Sequence, residues 1–193
     1  MKRDIIAING SPRPGGFSAR LHEAFLEPFR EKDFIVHEVK AGVLDIHCCT
    51  ACGACAREFR CIFDDDMTSL YPLLRDAAFV SIATPVYFSG VPAQLKKFID
   101  RCQVLWEFDL RAPEEMAHKG VFLLAAAGSD YEGVFQGVYL TCRHFFNTIG
   151  GHLETEDCLY LPDTDCLEKI SGAVLDVARK RGREKAEALQ KGK

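Results

Sequence analysis

An apolar run that stops at a glycine and passes straight into a helical pattern constrains this chain more than any other feature. Asp4-Ile5-Ile6-Ala7-Ile8-Asn9 is followed by Gly10-Ser11-Pro12-Arg13-Pro14-Gly15-Gly16-Phe17-Ser18. A continuous apolar run, rather than an alternating one, marks a strand buried on both faces of a parallel sheet. Residues 10–17 read as a tight loop, with a helix opening near Ser18. A helix N-terminus carries backbone N–H groups without intrahelical partners and so attracts anions. Glycines at 10, 15 and 16 let backbone approach a ligand closely. Ser11 and Ser18 add hydroxyls, and Arg13 adds a planar fork matched to phosphate oxygens. A single phosphomonoester fits such a loop; a glycine-rich turn that binds nothing is the plainer alternative. Neither G-x-x-x-x-G-K-S/T nor G-x-G-x-x-G is present, which argues against a nucleoside triphosphate or a dinucleotide pyrophosphate.

The rest of the chain repeats the alternation of strand and helix. Residues 18–31 read as the first helix, with Leu21, Phe25, Leu26 and Phe29 at helical spacing, Ser18 as its cap and Pro28 ending or kinking it. Strands are expected at 34–39, 79–83, 121–126 and within 153–161, and helices at 67–75, from Pro92, at 134–149 and at 167–190. In the last helix Leu167, Ile170, Val174 and Val177 share one face, and the basic residues from Arg179 onward are a solvated end. Of Asp64-Asp65-Asp66, one is expected to cap the second helix rather than bind a cation. Residues 106–119 break periodicity and are expected to be a long connection, serving as a lid or an interface. The arrangement predicts a doubly wound α/β fold with a parallel sheet in one domain spanning residues 1–193.

Five of the nine cysteines crowd between residues 48 and 61. Cys49, Cys52, Cys55 and Cys61 are spaced C-x2-C-x2-C-x5-C. Three thiols two residues apart can wrap one face of a compact cluster, and the longer step lets the chain reach the fourth corner. Four thiolates are what one 4Fe–4S cluster requires. Small residues at Ala51, Gly53 and Ala54 keep the wrap uncrowded. Zinc and a metal-free reactive thiol group are the alternatives, although structural zinc favours two separated ligand pairs. Cys48 is a spare. Cys102, Cys142, Cys158 and Cys166 are scattered and read as small buried hydrophobes, and His144 as packed or solvated.

Composition limits the function. A formal net charge of −4 disfavours nucleic acid or an anionic membrane as the main partner. No apolar run suits a signal peptide or a membrane span, and the expected compartment is the cytoplasm. Cysteines there point to metal or redox chemistry rather than to disulfides.

Gly10-Ser11-Pro12-Arg13 with Gly16-Phe17-Ser18 resembles the FMN-phosphate loop of the flavodoxin-like, NADPH-dependent FMN reductases. That family usually has Asn-Thr where this chain has Phe17-Ser18, so Ser18 replaces the Thr hydroxyl and Phe17 contributes its backbone N–H. Thr84-Pro85-Val86-Tyr87-Phe88-Ser89-Gly90, running on to Lys97-Phe98-Ile99-Asp100-Arg101, resembles the same family's isoalloxazine loop and following helix. With the cysteine run between these loops, the chain is similar to the iron–sulfur flavoprotein branch. The resemblance implies a flavodoxin-like three-layer sandwich around a five-stranded parallel sheet of order 2-1-3-4-5, with FMN at the switch between the first and third strands. It implies FMN contacts from Ser11, Arg13, Gly16, Phe17, Ser18, Pro85, Val86, Tyr87, Phe88, Ser89, Gly90 and Gly128, with Ser89-Gly90 offering backbone N–H groups. It also pairs FMN with the 4Fe–4S cluster in one electron-transfer protein.

Such a protein couples two-electron and one-electron partners, and no side chain is assigned as catalytic. Redox partners such as ferredoxin or NAD(P)H are expected, with a small-molecule or quinone acceptor. A homodimer or homotetramer is expected, because in this strand order the cysteines lie on the far side of the first strand from the flavin ring. Two alternatives stay open: an NAD(P)H-dependent FMN or quinone reductase without a functional cluster, and a non-enzymatic thiol or zinc redox sensor.

Overall fold

The run at residues 4–9 folds as one of three inner strands of a five-stranded, all-parallel sheet. A computed structural model describes residues 4–191. The elements are β1 (Asp4–Asn9), α1 (Phe17–Glu31), β2 (Ile35–Lys40), α2 (Ala54–Glu58), α3 (Asp66–Asp76), β3 (Phe79–Pro85), α4 (Ala93–Arg101), α5 (Gln103–Arg111), β4 (Gly120–Ala126), α6 (Gln136–Thr148), β5 (Cys158–Leu161) and α7 (Gly172–Lys191). The sheet order is β2-β1-β3-β4-β5, as expected. Among the described residues no helix is long and apolar enough to cross a membrane.

Burial separates inner strands from edges. β3 and β4 are buried almost throughout, whereas β2 is buried only at Val39 and β5 is only half-buried. Alternate side chains of each strand face opposite layers. Ile6, Ile8, Val80, Ile82 and Leu123 pack with Met67, Leu95, Phe98, Val138 and Phe146 on one side. Ile5, Ala7, Phe79, Phe122 and Leu124 pack with Leu21, Phe25 and Phe29 of α1 and Ala178 and Ala186 of α7 on the other. Phe25 stacks on Phe122 at 4.5 Å, and each such buried ring contributes about 1.5–3 kcal/mol. α7 lies so close to α1 that a Cβ on Gly182 would come 2.0 Å from the Phe25 carbonyl oxygen.

Several boundaries differ from expectation. α1 opens one residue early, at Phe17, with Gly16 rather than Ser18 as its cap, and it runs through Pro28 to Glu31. β5 is shorter than its apolar run because Glu154 and Asp157 cap a 3₁₀ turn at Thr155–Asp157 just before it. α7 starts at Gly172, since Ser171 accepts from the Val174 N–H; Leu167 therefore lies outside the helix and, like Val177, is exposed, while Ile170 is buried. α6 ends as expected at Gly150, whose φ of +79° suits a glycine that terminates a helix. Cys102 and Cys142 are buried, but Cys158 is half-buried and Cys166 exposed, against the expectation for all four. His144 is exposed.

The largest correction concerns residues 106–119. Residues 103–111 form α5, separated from α4 by the single junction residue Cys102. Val104 and Leu105 bury one side of it, while Trp106 stays 41% exposed. The stretch is an ordered helix with the cysteine loop packed along it.

His22 of α1 is buried against β3, with its Nε2 2.7 Å from the Ser81 hydroxyl. Burial, with a smaller contribution from Arg30, pushes its pKa down to about 3. The unfolded chain therefore binds a proton that the folded chain excludes between the ordinary histidine value and about 3. The stabilisation is complete above the ordinary value and is lost as pH falls. We expect this residue to cost about 1.4 kcal/mol per pH unit below pH ~6.5. Urea midpoints of the protein and of His22→Gln, followed down to pH ~5, check this; equal slopes in the two would refute it.

Candidate functional site

The loop after β1 is shaped by its own polar groups. The Asn9 side chain accepts from the Ser11 N–H at 2.9 Å, and the Ser11 hydroxyl accepts from the Arg13 N–H at 3.1 Å. The Gly10 N–H bonds Ala83 of β3, and a Cβ at Gly10 would come 2.6 Å from a methyl of the buried Leu95, so a side chain there would force Leu95 to shift. Gly16 opens α1 without any side-chain cap. The first-turn N–H groups of α1, from Phe17 to Ala19, thus remain available to a ligand. Among the described residues Arg13 has no carboxylate partner.

A cavity of about 260 Å³ lies at the C-terminal ends of the strands, lined by Ser11, Arg13, Gly16, Phe17, Ser18, Pro85, Val86, Tyr87 and Gly128. These nine expected residues come together there, joined by Ala126, Thr164 and Asp165. The last two come from the loop after β5. Its N–H groups at Thr164 and Asp165 bond the carbonyls of Ala127 and Gly128, which lays the Asp165 carboxylate against Gly128. A signal for this loop existed: ligands of open α/β sheets sit beyond the carboxyl ends of the strands, and this loop is one of them.

Phe88, Ser89 and Gly90 do not line that cavity. Residues 87–90 form a tight reversal in which the N–H groups of Tyr87 and Gly90 bond each other's carbonyls at 2.9 Å. The Gly90 N–H, expected to be free for a ligand, is therefore used within the turn. Phe88 and Ser89 both have positive φ, at 48° and 60°, a costly geometry for residues with a Cβ. The turn rests on α6, where a Cβ on Gly137 would lie 2.1 Å from the Ser89 carbonyl oxygen. Its aromatic tip, Phe88, is fully exposed, and the hydroxyls of Ser89 and Tyr131 lie 2.8 Å apart.

The second constellation is the cysteine loop. Ala51, Gly53 and Phe59 have positive φ, so the chain reverses repeatedly around the five-residue α2. Cys49, Cys52, Cys55 and Cys61 all line one cavity of about 260 Å³, shared with Phe63, Arg101 and, from α5, Gln103, Val104 and Glu107. Cys48 is exposed and does not line it. Among the described residues no three His, Cys, Asp or Glu side chains converge tightly enough to hold a single metal ion. Burial pushes the Cys55 thiol up; a bond from the Ala56 N–H opposes this, and the Glu107 carboxylate adds to it.

Beneath this loop lies a buried ion pair. Arg101, 1% exposed, donates from both Nη atoms to Asp65, at 2.5 and 3.1 Å, and from Nη1 to the His47 carbonyl at 2.9 Å. Asp65 caps α3 as expected for one residue of the acidic triplet, accepting from the Met67 N–H at 3.1 Å. Burial works against its charge, but the bonds from Arg101, His47 and Met67 outweigh that and hold its pKa at about 2.

A family model for NADPH-dependent FMN reductases matches residues 3–152. The chain belongs to that family. Among curated proteins, an iron–sulfur flavoprotein of Methanosarcina thermophila is 39% identical over 101 residues, covering 52% of this chain and 53% of the relative. Another, from Methanocaldococcus jannaschii, is 32% identical over 143 residues, covering 74% and 70%. The chain spans about half the length of the first curated relatives it matches. Among solved structures, an NAD(P)H:quinone oxidoreductase from Methanothermobacter marburgensis superposes with a TM-score of 0.70 at 17% identity, covering 94% of each chain, a likeness of fold. The matched range, residues 3–152, includes the loop after β1, the cysteine loop and the turn at 87–90.

Proposed function

We propose that this chain is a flavin-dependent electron-transfer oxidoreductase that holds FMN and a 4Fe–4S cluster and couples two-electron to one-electron partners. The observation that carries the reading is that the four cysteines chosen by spacing line one cavity while the fifth does not. Four thiols around one cavity of about 260 Å³ supply the four thiolates an iron–sulfur core requires.

FMN supplies one- or two-electron chemistry and the cluster supplies one-electron chemistry. The residues do the holding. Arg13, the Ser11 and Ser18 hydroxyls and the first N–H groups of α1 bind the phosphate. Asp165 would accept from the hydroxyls of the sugar-alcohol chain, and Pro85, Val86 and Tyr87 would flank the ring. Cys49, Cys52, Cys55 and Cys61 bind iron as thiolates. α5 and Phe63 keep water from one side of the cluster.

The two cavities have no lining residue in common. This supports a homodimer or homotetramer in which cluster and flavin meet across subunits, with Trp106 of α5 at the boundary. NAD(P)H or a ferredoxin-like protein is the donor, and a quinone or another small molecule the acceptor. Anaerobic mixing with a reduced one-electron donor tests the coupling: the cluster and then the flavin should be reduced. Fast flavin bleaching by NADPH with no change at iron would favour a simple reductase instead. Light scattering that finds a monomer with full cluster-to-flavin transfer would refute the assembly.

A further inference from the structure

The cavity lined by the four cysteines is also lined by a buried cation with one bond unmade. Arg101 is 1% exposed, and its four Nη hydrogens face Asp65, the His47 carbonyl and the Tyr71 hydroxyl, the last at 3.4 Å. Its Nε is buried with no hydrogen-bond partner, the one such side-chain atom among the described residues. A buried donor left unpaired is destabilising, so an acceptor is expected there. Phe63 lies under the guanidinium, with its ring centroid 5.2 Å from Cζ, and has no polar atom to offer. The cavity's other polar side chains are the four thiols, Thr50 and, from α5, Gln103 and Glu107.

We propose that Arg101 is a positioning residue for the cluster, donating its Nε–H to a cysteine or sulfide sulfur and raising the cluster's reduction potential. The inference rests on the cluster reading. Reduction takes one electron from a one-electron donor, makes and breaks no bond, and adds one negative charge to the cluster. A fixed cation and a donor aimed at sulfur both favour that form. Asp65 holds the guanidinium in place through two bonds and offsets part of its charge. Nothing in the spacing of the cysteines points to Arg101, because it belongs to the far end of α4.

The direct test uses the intact protein, purified anaerobically, with arginine labelled with nitrogen-15 at Nε. After reduction with dithionite, pulsed electron-nuclear spectroscopy should find labelled nitrogen coupled to the cluster. The coupling should persist in Arg57→Lys and Arg60→Lys and vanish in Arg101→Lys. Arg101→Lys keeps the charge but loses the planar donor. Its cluster should be about tenfold harder to reduce, a midpoint shift of about 59 mV to lower potential. Should that variant fail to fold, Asp65→Asn serves as the second arm; it keeps the helix cap and should move the midpoint to higher potential. A reduced cluster with no coupling to labelled arginine, or midpoints unmoved in a folded variant, overturns the role of Arg101 and leaves the cluster reading standing. Protein without iron or sulfide overturns the cluster reading itself.

Discussion

Serine at Cys52 or Cys55 is expected to abolish the cluster and leave FMN bound. Both thiols line the cysteine cavity and neither lines the cavity beyond β1, β3 and β4, so the two cofactors should be lost independently. A serine hydroxyl is a harder and much less acidic ligand than a thiol, and iron–sulfur clusters are held by thiolates. Cys48→Ser should retain the cluster, since Cys48 stands outside the cavity. Iron and sulfide analysis with flavin counting reads all three variants. Loss of iron in Cys48→Ser but not in Cys49→Ser would show that Cys48, rather than Cys49, holds the metal.

Arg13→Ala should weaken FMN binding about 10- to 150-fold, the equivalent of about 1.5–3 kcal/mol for a charge-assisted hydrogen bond. Arg13 lines the cavity, has no acidic partner among the described residues, and stands beside a helix N-terminus with no side-chain cap. With little in the protein competing for its guanidinium, most of the loss should appear as affinity rather than stability. The loop itself should survive, because it is held by Asn9 and by the Ser11 hydroxyl rather than by the arginine side chain. Titration of apo-protein with FMN, beside a urea unfolding curve, separates the two effects. Unchanged affinity would remove Arg13 from the phosphate site.

Much of this arrangement is legible in the sequence. The apolar runs at 4–9, 79–83 and 121–126 report strands buried on both faces, and they occupy the middle of the sheet. The cysteine spacing singles out the four thiols that share a cavity. The features that escape it are tertiary. Asp65 reads as a helix cap and is one, but its second role, holding Arg101, depends on how α3 and α4 are placed in the fold. The turn at 87–90 reads as ligand-facing, yet the Gly90 N–H is bonded to Tyr87, an internal bond that composition does not reveal. Asp165 reaches the first cavity across Gly128, where a Cβ would come 2.5 Å from its carboxylate. The helix at 103–111 is hidden because an acidic stretch and Pro113 follow directly and mask the helical spacing of Val104, Leu105 and Phe108.

Two cofactors in one chain is the central claim, and stoichiometry tests it most directly. Protein isolated without exposure to oxygen, analysed for flavin, iron, sulfide and zinc, should contain one FMN with about four irons and four sulfides per chain. Its visible spectrum should show flavin bands over a broad iron–sulfur absorbance that bleaches on reduction. One FMN with no iron, or zinc bound to the same cysteines, would contradict it.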